Sequence, residues 1–323
     1  MKMEQGEQIH AAVTGATSFL GAALVRELAE RGCRVHALIR PGSSNRRALE
    51  GLPVHIAELE LGQMDRVREV IGEPCSLFFH LGWEGSGSDS RKKTEIQQQN
   101  ARDGIKALKG ARSLGCTRFI FSGSQAEYGS CRTLMKEDQP CLPVSEYGKA
   151  KVQVGEEAYR LCRQWREKGE YDMEYIHARI FSIYGPGDHP WSLVNTCLDT
   201  FLKGETMKLS ACTQQWNFLY IDDLVKGLLA LAFCRGRVEG TYNLAAGPEE
   251  TRPLKEYVEH MYRLCGSRGD YVYGKLPPNA EGYVNLIPDI SRIRERTGWK
   301  PEISFEEGIR RMTEKKREAA SMK

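Results

Sequence analysis

The chain has 323 residues, of which 41% are hydrophobic and 28% charged; this excludes a disordered or fibrous protein and leaves room for an α/β domain with a smaller lobe. Its 46 Lys and Arg against 43 Asp and Glu leave a formal charge of +3, too little to indicate a nucleic-acid or membrane-surface partner. The ten cysteines form no CxxC pair and no apolar leader or span is evident, so we expect reduced, mostly buried thiols and a cytoplasmic protein.

Short apolar runs alternate with amphipathic stretches in the first half of the chain. In chain order, the pattern predicts strands at 9–14, 34–39, 77–81 and 119–122, with a helix at 20–31. This alternation predicts an α/β fold with a Rossmann-type, doubly wound parallel sheet. After about residue 185 it loosens, and helices at 193–202 and 221–233 with a strand at 241–245 predict a smaller, interleaved C-terminal lobe.

A glycine turn joins the first predicted strand to the first helix. Gly15 permits a tight turn, Gly21 lets the helix pack closely on the sheet, and the N–H groups between them can face a pyrophosphate. The residues that we assign to this cofactor turn are Gly15, Thr17, Ser18, Phe19, Leu20 and Gly21. The position between strand and helix favours dinucleotide binding over a purely structural turn.

The end of the second strand indicates which dinucleotide is bound. Sites that prefer NAD usually carry an acid there for the ribose 2′-hydroxyl, whereas this chain has Arg40, followed by Ser43 and further donors. A guanidinium suits a 2′-phosphate, so NADP(H) is favoured, with NAD(H) as the alternative. An arginine-rich surface loop is the structural alternative. The segment 31–49 carries five arginines and no acid.

Two further strand ends contribute candidate cofactor contacts by strand order alone. Glu60 and Leu61 follow a further strand, the third of the sheet, which we expect between 34–39 and 77–81, on the adenine side. Leu81 and Gly82 follow the fourth strand, on the ribose and nicotinamide side, and are succeeded by Trp83. Because parallel strands end at one edge of the sheet, these residues are expected near the glycine turn.

A tyrosine and a lysine one helical turn apart form the candidate proton-transfer pair. Ser145 is the predicted N-cap, and Tyr147 and Lys151 share a helix face. An ammonium beside a phenol favours the phenolate, which makes the tyrosine a usable proton donor and acceptor. Ser124, preferred over Ser122, ends the fifth strand and can hydrogen-bond a substrate oxygen there.

With these motifs, the chain resembles the extended short-chain dehydrogenases/reductases, the group of nucleotide-sugar epimerases, dehydratases and ketoreductases. The resemblance covers nearly the whole length. It rests on TGATSFLG at 14–21, FHLGW at 79–83, Asn100, FSGSQAEYG at 121–129, YGKAK at 147–151, ARIFSIYGPG at 178–187, NFLYIDD at 217–223, YNLAAG at 242–247 and TGWKP at 297–301.

The resemblance implies an NAD(P)-dependent enzyme, a nucleoside diphosphate sugar as substrate, and a homodimer. It implies Ser124, Tyr147 and Lys151 as the catalytic triad, Tyr147, Lys151 and Ile183 among the cofactor contacts, and Trp83, Ser124, Gln125, Ser182, Trp216 and Asn217 as substrate contacts. The expected division is a dinucleotide domain of 1–183 plus 217–246 and a substrate domain of 184–216 plus 247–323.

The chain departs from the family pattern at several positions. Ser18 replaces the usual middle glycine of the turn. Gln125 and Ala126 stand where dehydratases carry an Asp-Glu pair, which disfavours dehydration, and Glu127, offset by one residue, is interpreted as structural. Arginines that often face the diphosphate are replaced by Trp216 and Asn279, which weakens the nucleotide-sugar assignment.

The histidines form no metal-binding pattern in the sequence. His10, His36, His55, His80 and His177 fall within or at the ends of predicted strands, and no HExxH, HxH or Cys-His cluster occurs, so we predict no metal site. The leading hypothesis is an NADP(H)-dependent reductase of a nucleotide-linked 4-keto-6-deoxy sugar. The alternatives are an NAD-dependent nucleotide-sugar 4-epimerase and a non-catalytic NAD(P)-binding protein.

Overall fold

The computed structural model describes residues 8–87, 89–277, 282 and 284–321. The strands in these ranges are β1 (His10–Thr14), β2 (Arg34–Ile39), β3 (His55–Glu58), β4 (Leu77–His80), β5 (Arg118–Ser124), β6 (Glu174–Ile180), β7 (Ser182–Tyr184), β8 (Thr206–Lys208), β9 (Gln215–Trp216), β10 (Phe218–Tyr220), β11 (Gly240–Leu244), β12 (Arg252–Pro253) and β13 (Asp270–Val272). The helices are α1 (Phe19–Glu30), α2 (Val67–Ile71), α3 (Thr94–Leu114), α4 (Glu146–Glu167), α5 (Leu193–Lys203), α6 (Ile221–Ala232), α7 (Leu254–Leu264), α8 (Ser291–Thr297) and α9 (Phe305–Ser321).

Seven of the described strands form one parallel sheet in the order β11-β6-β5-β4-β1-β2-β3. The chain runs outward from β1 in one direction through β3 and in the other from β4, so the strand order reverses between β1 and β4. Ligands of such sheets bind at this switch point, beyond the carboxyl ends of the strands. The predicted doubly wound Rossmann-type sheet is confirmed.

Alternating residues of the central strands pack into two hydrophobic layers, one on each face of the sheet. On one face Ala11 and Val13 of β1 belong to the cluster that includes Leu24 of α1 and Leu228 of α6. On the other face Ala12 packs in the cluster that contains residues of α2, α3 and α4. Both faces of the parallel sheet are therefore covered by helices, as its continuous apolar strands require.

Two neighbouring strands depart from a purely apolar pattern. β5 extends beyond the predicted end at residue 122 to Ser124, because Gly123 and Ser124, which resemble the start of a turn, pair with Arg179 and Ile180 of β6. β6 is the strand expected around His177, and it carries the polar side chains of His177 and Arg179. Both side chains are buried, and both contact the same buried carboxylate, that of Glu127.

The remaining described strands form small sheets in the second half of the chain. β7 pairs with β10 in parallel, β9 with β12 in antiparallel, and β8 with β13 in parallel. α7 packs against α5 and α9 beside them. The ten cysteines all carry free thiols, and most are buried, as expected. No helix in the described ranges combines the length and the apolar character needed to cross a bilayer.

Candidate active site

The glycine turn after β1 presses against the end of β4. Gly15 has φ +65°, and a Cβ at this position would lie 2.8 Å from the backbone nitrogen of Gly82. A Cβ on Gly21 would lie 2.0 Å from the carbonyl oxygen of Gly15. Both glycines are therefore required by close backbone approach, the first also by its left-handed backbone conformation.

Ser18 has a defined role in place of the usual middle glycine. It is the N-cap of α1, and its hydroxyl oxygen accepts a hydrogen bond from the Gly21 N–H at 3.0 Å. The hydroxyls of Thr17 and Ser43 lie 3.1 Å apart, which links this turn to the loop after β2. The turn is thus held by side chains as well as by glycine backbone.

Thr14, the last residue of β1, connects the two strands at the switch point. Its hydroxyl oxygen accepts the N–H groups of Leu81 and Gly82 at 3.1 and 3.0 Å, so its proton is donated to Nδ1 of His80, 2.9 Å away. Burial and the charge of Lys151 lower the pKa of His80 to about 3. The imidazole is therefore neutral, with its proton on Nε2.

The end of β2 presents an exposed cation to the same edge. Arg40 is exposed, and its guanidinium makes no hydrogen bond or ion pair with any described residue. Arg46, by contrast, is paired with Glu58 at 2.6 Å. Glu60 is exposed and Leu61 half-buried, and a Cβ on Gly82 would meet the Leu61 side chain at 2.7 Å.

The carboxyl end of β5 is shaped by a capped turn. Ser124 is the N-cap of a short 3₁₀ helix, with its hydroxyl oxygen accepting the Ala126 N–H at 3.2 Å. The side chain of Glu127 in turn accepts the Ser124 N–H at 2.7 Å. Ser122 instead donates its hydroxyl proton to the carbonyl of His80 at 3.1 Å. Of the two serines, only Ser124 has a proton left to donate to a ligand.

Glu127 is an ion-pair partner inside the protein. Its carboxylate lies 2.8 Å from Nε2 of His177 and 2.8 Å from Nε of Arg179. Against the effect of burial, these partners and the Ser124 N–H lower the pKa of Glu127 to about 2. An enclosed carboxylate that is ionised at neutral pH and held by two cationic partners fits the structural role that the sequence suggested.

The start of α4 lies directly against this turn. Ser145 caps the helix by accepting the Gly148 N–H at 3.1 Å, as predicted. A Cβ on Gly148 would lie 2.5 Å from the Ala126 carbonyl oxygen, so only glycine allows the approach. The packing places Tyr147, in the first turn of α4, beside the Ser124 turn, with Lys151 one helical turn further along.

Lys151 is buried among aromatic rings and a carbonyl. Its ammonium nitrogen donates to the Ser122 carbonyl at 2.6 Å and lies 3.6 Å from the centre of the Trp83 ring. Burial, together with the charge of Arg91 and against the effect of Glu127, lowers the pKa of Lys151 to about 7. Trp83 is held by a hydrogen bond from its indole N–H to Gln97 at 2.8 Å.

Tyr147 has charges and rings on several sides. The Trp83 ring meets it edge-on with centroids 5.9 Å apart, the Lys151 ammonium lies 5.5 Å from its ring centre, and the Arg91 guanidinium lies 4.5 Å from it. A cation over the face of a phenol ring is attracted by the π-electrons of the ring. The predicted tyrosine and lysine therefore share one site, with Trp83 between them.

The other predicted substrate contacts lie around this edge in different environments. Gln125 follows Ser124 directly and is half-buried, and Ser182 and Ile183 lie in β7, just beyond the end of β6. Trp216 is half-buried against Phe218, and its indole N–H has no hydrogen-bond partner among the described residues.

Asn217 is fully buried and its amide is engaged with the loop after β11. Its Nδ2 donates to the carbonyls of Ala246 and Gly247 and to the Thr251 hydroxyl, and its Oδ1 accepts the Ala246 N–H at 2.9 Å. These bonds use the hydrogen-bonding capacity of the amide. The side chain therefore positions the loop rather than facing solvent.

Sequence reasoning missed several residues that build the site. They are Thr14, His80, Arg91 and Gln97. Arg91 and Gln97 sit in no recognisable pattern. The hydroxyl of Thr14 could have been suspected, because it ends the strand that leads into the glycine turn.

A nicotinamide dinucleotide fits the residues at this edge. The glycine turn has no room for a Cβ at Gly15 or Gly21, which is the close backbone approach that a pyrophosphate needs. The exposed guanidinium of Arg40 lies at the end of β2, where the adenosine ribose of such a cofactor is recognised.

Comparisons with known proteins show what the chain is similar to. A dTDP-glucose 4,6-dehydratase of Xanthomonas campestris pv. campestris is 26% identical over 92% of this chain and 90% of its own length. A dTDP-4-dehydro-6-deoxyglucose reductase of Escherichia coli is 23% identical over 92% of this chain and 94% of its own. The crystal structure of a UDP-glucose 4-epimerase of Thermotoga maritima with UDP-glucose shares the fold, with a TM-score of 0.84 at 24% identity over 97% of this chain and 100% of that chain.

The sequence also matches the NAD dependent epimerase/dehydratase family over residues 11–245. This range contains the glycine turn, the Ser124 turn and the start of α4. The chain therefore belongs to the NAD dependent epimerase/dehydratase family, within the extended short-chain dehydrogenase/reductase enzymes.

Proposed function

We propose that the protein is an NADP(H)-dependent reductase that acts on the C4 keto group of a nucleotide-linked 4-keto-6-deoxy sugar. The observation that carries this proposal is Arg40, an exposed and unpaired guanidinium, within the described residues, at the strand end where an acid would select NAD. A reductant that is consumed in the cell is usually NADPH. The nucleotide-sugar part of the proposal is supported by the named activities of the relatives.

We assign the roles of the residues from the family resemblance and from the contacts around Ser124, Tyr147 and Lys151. When bound, NADPH would supply a hydride. The glycine turn from Gly15 to Gly21 and the guanidinium of Arg40 would hold it. Tyr147 donates the proton to the keto oxygen, which completes the reduction to an alcohol. Ser124 donates a hydrogen bond to the same oxygen, because its hydroxyl proton is free while its oxygen accepts from Ala126. Lys151 binds the nicotinamide ribose and stabilises the phenolate that Tyr147 becomes.

Dehydration is disfavoured because the two residues that follow Ser124 in the chain are not carboxylic acids. Gln125 and Ala126 follow it in the chain, and the next residue, Glu127, is ion-paired with His177 and Arg179. A carboxylate whose pKa is about 2 holds no proton to give at neutral pH. Elimination of water from a sugar needs such a proton donor.

The division into two domains is part of this proposal. We assign 1–183 plus 217–246 to the dinucleotide domain and 184–216 plus 247–323 to the substrate domain. In support, β11 pairs with β6 of the large sheet, whereas the pairs β8–β13 and β9–β12 lie outside it. Trp83, Gln125, Ser182 and Trp216 are the proposed sugar and nucleotide contacts, and Asn217 holds the loop beside them.

A nucleotide-sugar 4-epimerase is the second candidate, since the same serine, tyrosine and lysine serve both reactions. An epimerase would keep its cofactor bound, because hydride removed from C4 returns to the other face. The match to the epimerase/dehydratase family supports this candidate.

One set of assays on the purified protein separates the candidates. We expect NADPH oxidation in a fixed ratio with a nucleotide-linked 4-keto-6-deoxy sugar, and little nucleotide released when the protein is denatured and analysed by mass spectrometry. Tightly bound NAD(H), with interconversion of UDP-hexose isomers and no net absorbance change, would establish the epimerase instead. Bound cofactor without either activity would indicate the non-catalytic alternative.

The proposed assembly is a homodimer formed through a helix bundle, as the family resemblance implies. Sedimentation velocity of the purified protein should show a dimer, and a monomer at all concentrations tested would contradict the proposal.

A further inference from the structure

Two histidines and a glutamate converge at the amino ends of the strands, at the opposite edge of the sheet from the active site. His10 is the first residue of β1, His36 lies in β2, and Glu73 follows α2. One nitrogen of each histidine and a carboxylate oxygen lie within 4.8 Å of one another. The proposed reductase reaction uses none of them, and their spacing in the sequence is too wide for any metal-binding motif.

The separations among these atoms match the edges of a coordination polyhedron. Nε2 of His36 lies 3.2 Å from Oε1 of Glu73, and Nδ1 of His10 lies 3.6 Å from Oε2. Ligand atoms at about 2.0–2.1 Å from a tetrahedral zinc ion are roughly 3.3 Å apart. These two separations run to different oxygens of Glu73, but one nitrogen of each histidine and one carboxylate oxygen all lie within 4.8 Å of one another. A single ion can therefore reach both histidines and one carboxylate oxygen after the side chains adjust.

The two histidine nitrogens are buried polar atoms without a hydrogen bond. Neither Nδ1 of His10 nor Nε2 of His36 has a hydrogen-bond partner of good geometry among the described residues, although a Glu73 oxygen lies near each of them. The His36 side chain is fully buried. On its other side, Nδ1 of His36 lies 3.4 Å from Nδ1 of His55. If His36 donates this bond, its Nε2 keeps a lone pair near a carboxylate oxygen, which is unfavourable unless a cation lies between them.

The surroundings supply the support that metal ligands usually have. A ligating imidazole normally donates its second N–H to an acceptor, as His36 can to His55. Arg34, which is exposed, donates to Oε1 of Glu73 at 2.7 Å, so its charge opposes a cation while its bond orients the carboxylate. Oε2, on the side of His10, remains available as a ligand.

We propose that His10, His36 and Glu73 form a binding site for one divalent transition-metal ion of the zinc class, with water completing the coordination. Two imidazoles and a carboxylate favour zinc over magnesium or calcium, which prefer all-oxygen ligands. The ion would tie together β1, β2 and the segment after α2. His55 acts as a positioning residue through His36.

The test uses full-length protein without an affinity tag, stripped of metal and dialysed against zinc chloride. Elemental analysis is expected to give one zinc per chain, with an increase in the melting temperature on zinc addition. Both effects should be lost in His10→Gln and in Glu73→Gln, which alter partly exposed side chains and spare the buried His36. His55→Ala should weaken zinc binding by ~10- to 100-fold.

His260→Gln is the matched control, because Nδ1 of His260 also lies 3.0 Å from a carboxylate, that of Glu306, but without a second histidine ligand beside it in the described structure. It should retain the wild-type zinc content, and magnesium chloride should give no stabilisation. Equal zinc content in the wild type and in both ligand variants, or no zinc in any of them, would overturn the proposal whatever the outcome of the reductase assay.

Discussion

The ammonium nitrogen of Lys151 lies over the face of the Trp83 ring, 3.6 Å from its centre. The lysine side chain is almost completely buried, and its one described hydrogen bond is to the carbonyl of Ser122 at 2.6 Å. An aromatic face and a carbonyl replace bulk water only in part, and the pKa of this lysine is therefore lowered to about 7. At neutral pH, Lys151 is poised between its charged and neutral forms.

This lysine should make the stability of the protein rise with pH above neutrality. The folded state releases the lysine proton near pH 7, whereas the unfolded chain keeps it to about pH 10.4. The free-energy cost of burying the charged lysine is therefore fully present below pH 7, and it decreases as the pH rises above 7. Urea unfolding of the wild type, compared with Lys151→Met, should show a relative gain of roughly 2 kcal/mol for the wild type from pH 7 to pH 9. If the difference in unfolding free energy between the wild type and Lys151→Met is the same at pH 7 and at pH 9, the lowered pKa of Lys151 is contradicted.

Replacing Arg91 should change the pH dependence of the reaction. Its charge lowers the pKa of Lys151, and its guanidinium lies over the Tyr147 ring. Arg91→Met should reduce kcat/KM by roughly 2- to 30-fold, as expected for a lost cation–π contact, and should move the alkaline limb of the pH profile to higher pH. Arg102→Met, an exposed site on α3, is the control. A lower kcat/KM in Arg91→Met without a shift of the alkaline limb would argue against electrostatic coupling between Arg91 and Lys151.

Tyr147→Phe should remove the proton donor while leaving the ring in place. Turnover should fall by ~10²- to 10⁴-fold, the usual contribution of a positioned acid, with NADPH affinity close to that of the wild type by fluorescence titration. Tyr159→Phe, in the same helix, removes a hydroxyl that contacts Thr241 and should keep wild-type turnover. Normal turnover in Tyr147→Phe would remove this residue from its assigned role.

Arg40→Ala should lower the affinity for NADPH and leave that for NADH nearly unchanged. Loss of a charge-assisted hydrogen bond costs about 1.5–3 kcal/mol, which is roughly a 10- to 100-fold increase in the dissociation constant. Arg26→Ala, at an exposed position of α1, serves as the control. Equal weakening for the two cofactors would show that Arg40 does not read the 2′-phosphate.

Glu127→Gln should destabilise the protein at neutral pH. The pKa of this carboxyl is about 2 in the folded state against an ordinary value of 4.5, so its contribution is present above pH 4.5 and is lost between pH 4.5 and 2. Removing one member of a buried charge cluster lowers the free energy of unfolding by about 3–5 kcal/mol. The difference in unfolding free energy between Glu127→Gln and the wild type should become smaller from pH 4.5 to pH 2. Glu30→Gln, on the surface of α1, is the control.

The same variant also tests the functional assignment. Glutamine retains an oxygen that can accept the Ser124 N–H, so the folded fraction of Glu127→Gln should reduce the ketosugar at close to the wild-type rate. A loss of kcat that exceeds the loss of folded protein would instead give Glu127 a part in proton transfer.

The sequence by itself determined the features that depend on local geometry. A turn that needs Gly15 and Gly21, an N-cap at Ser145, and a tyrosine and lysine four residues apart are all set by backbone dihedrals and helical periodicity. The alternation of apolar and amphipathic segments likewise predicted the parallel sheet, whose carboxyl edge carries the site.

Only the tertiary structure decided which distant side chains meet. Parallel pairing brings Glu127 to His177 and Arg179, about fifty residues away along the chain, and explains why β6 carries charges inside the protein. The position of Arg91 over Tyr147 and the convergence of His10, His36 and Glu73 depend in the same way on strand order and loop path. Such contacts arise from the register of the whole sheet, which no local pattern of residues encodes.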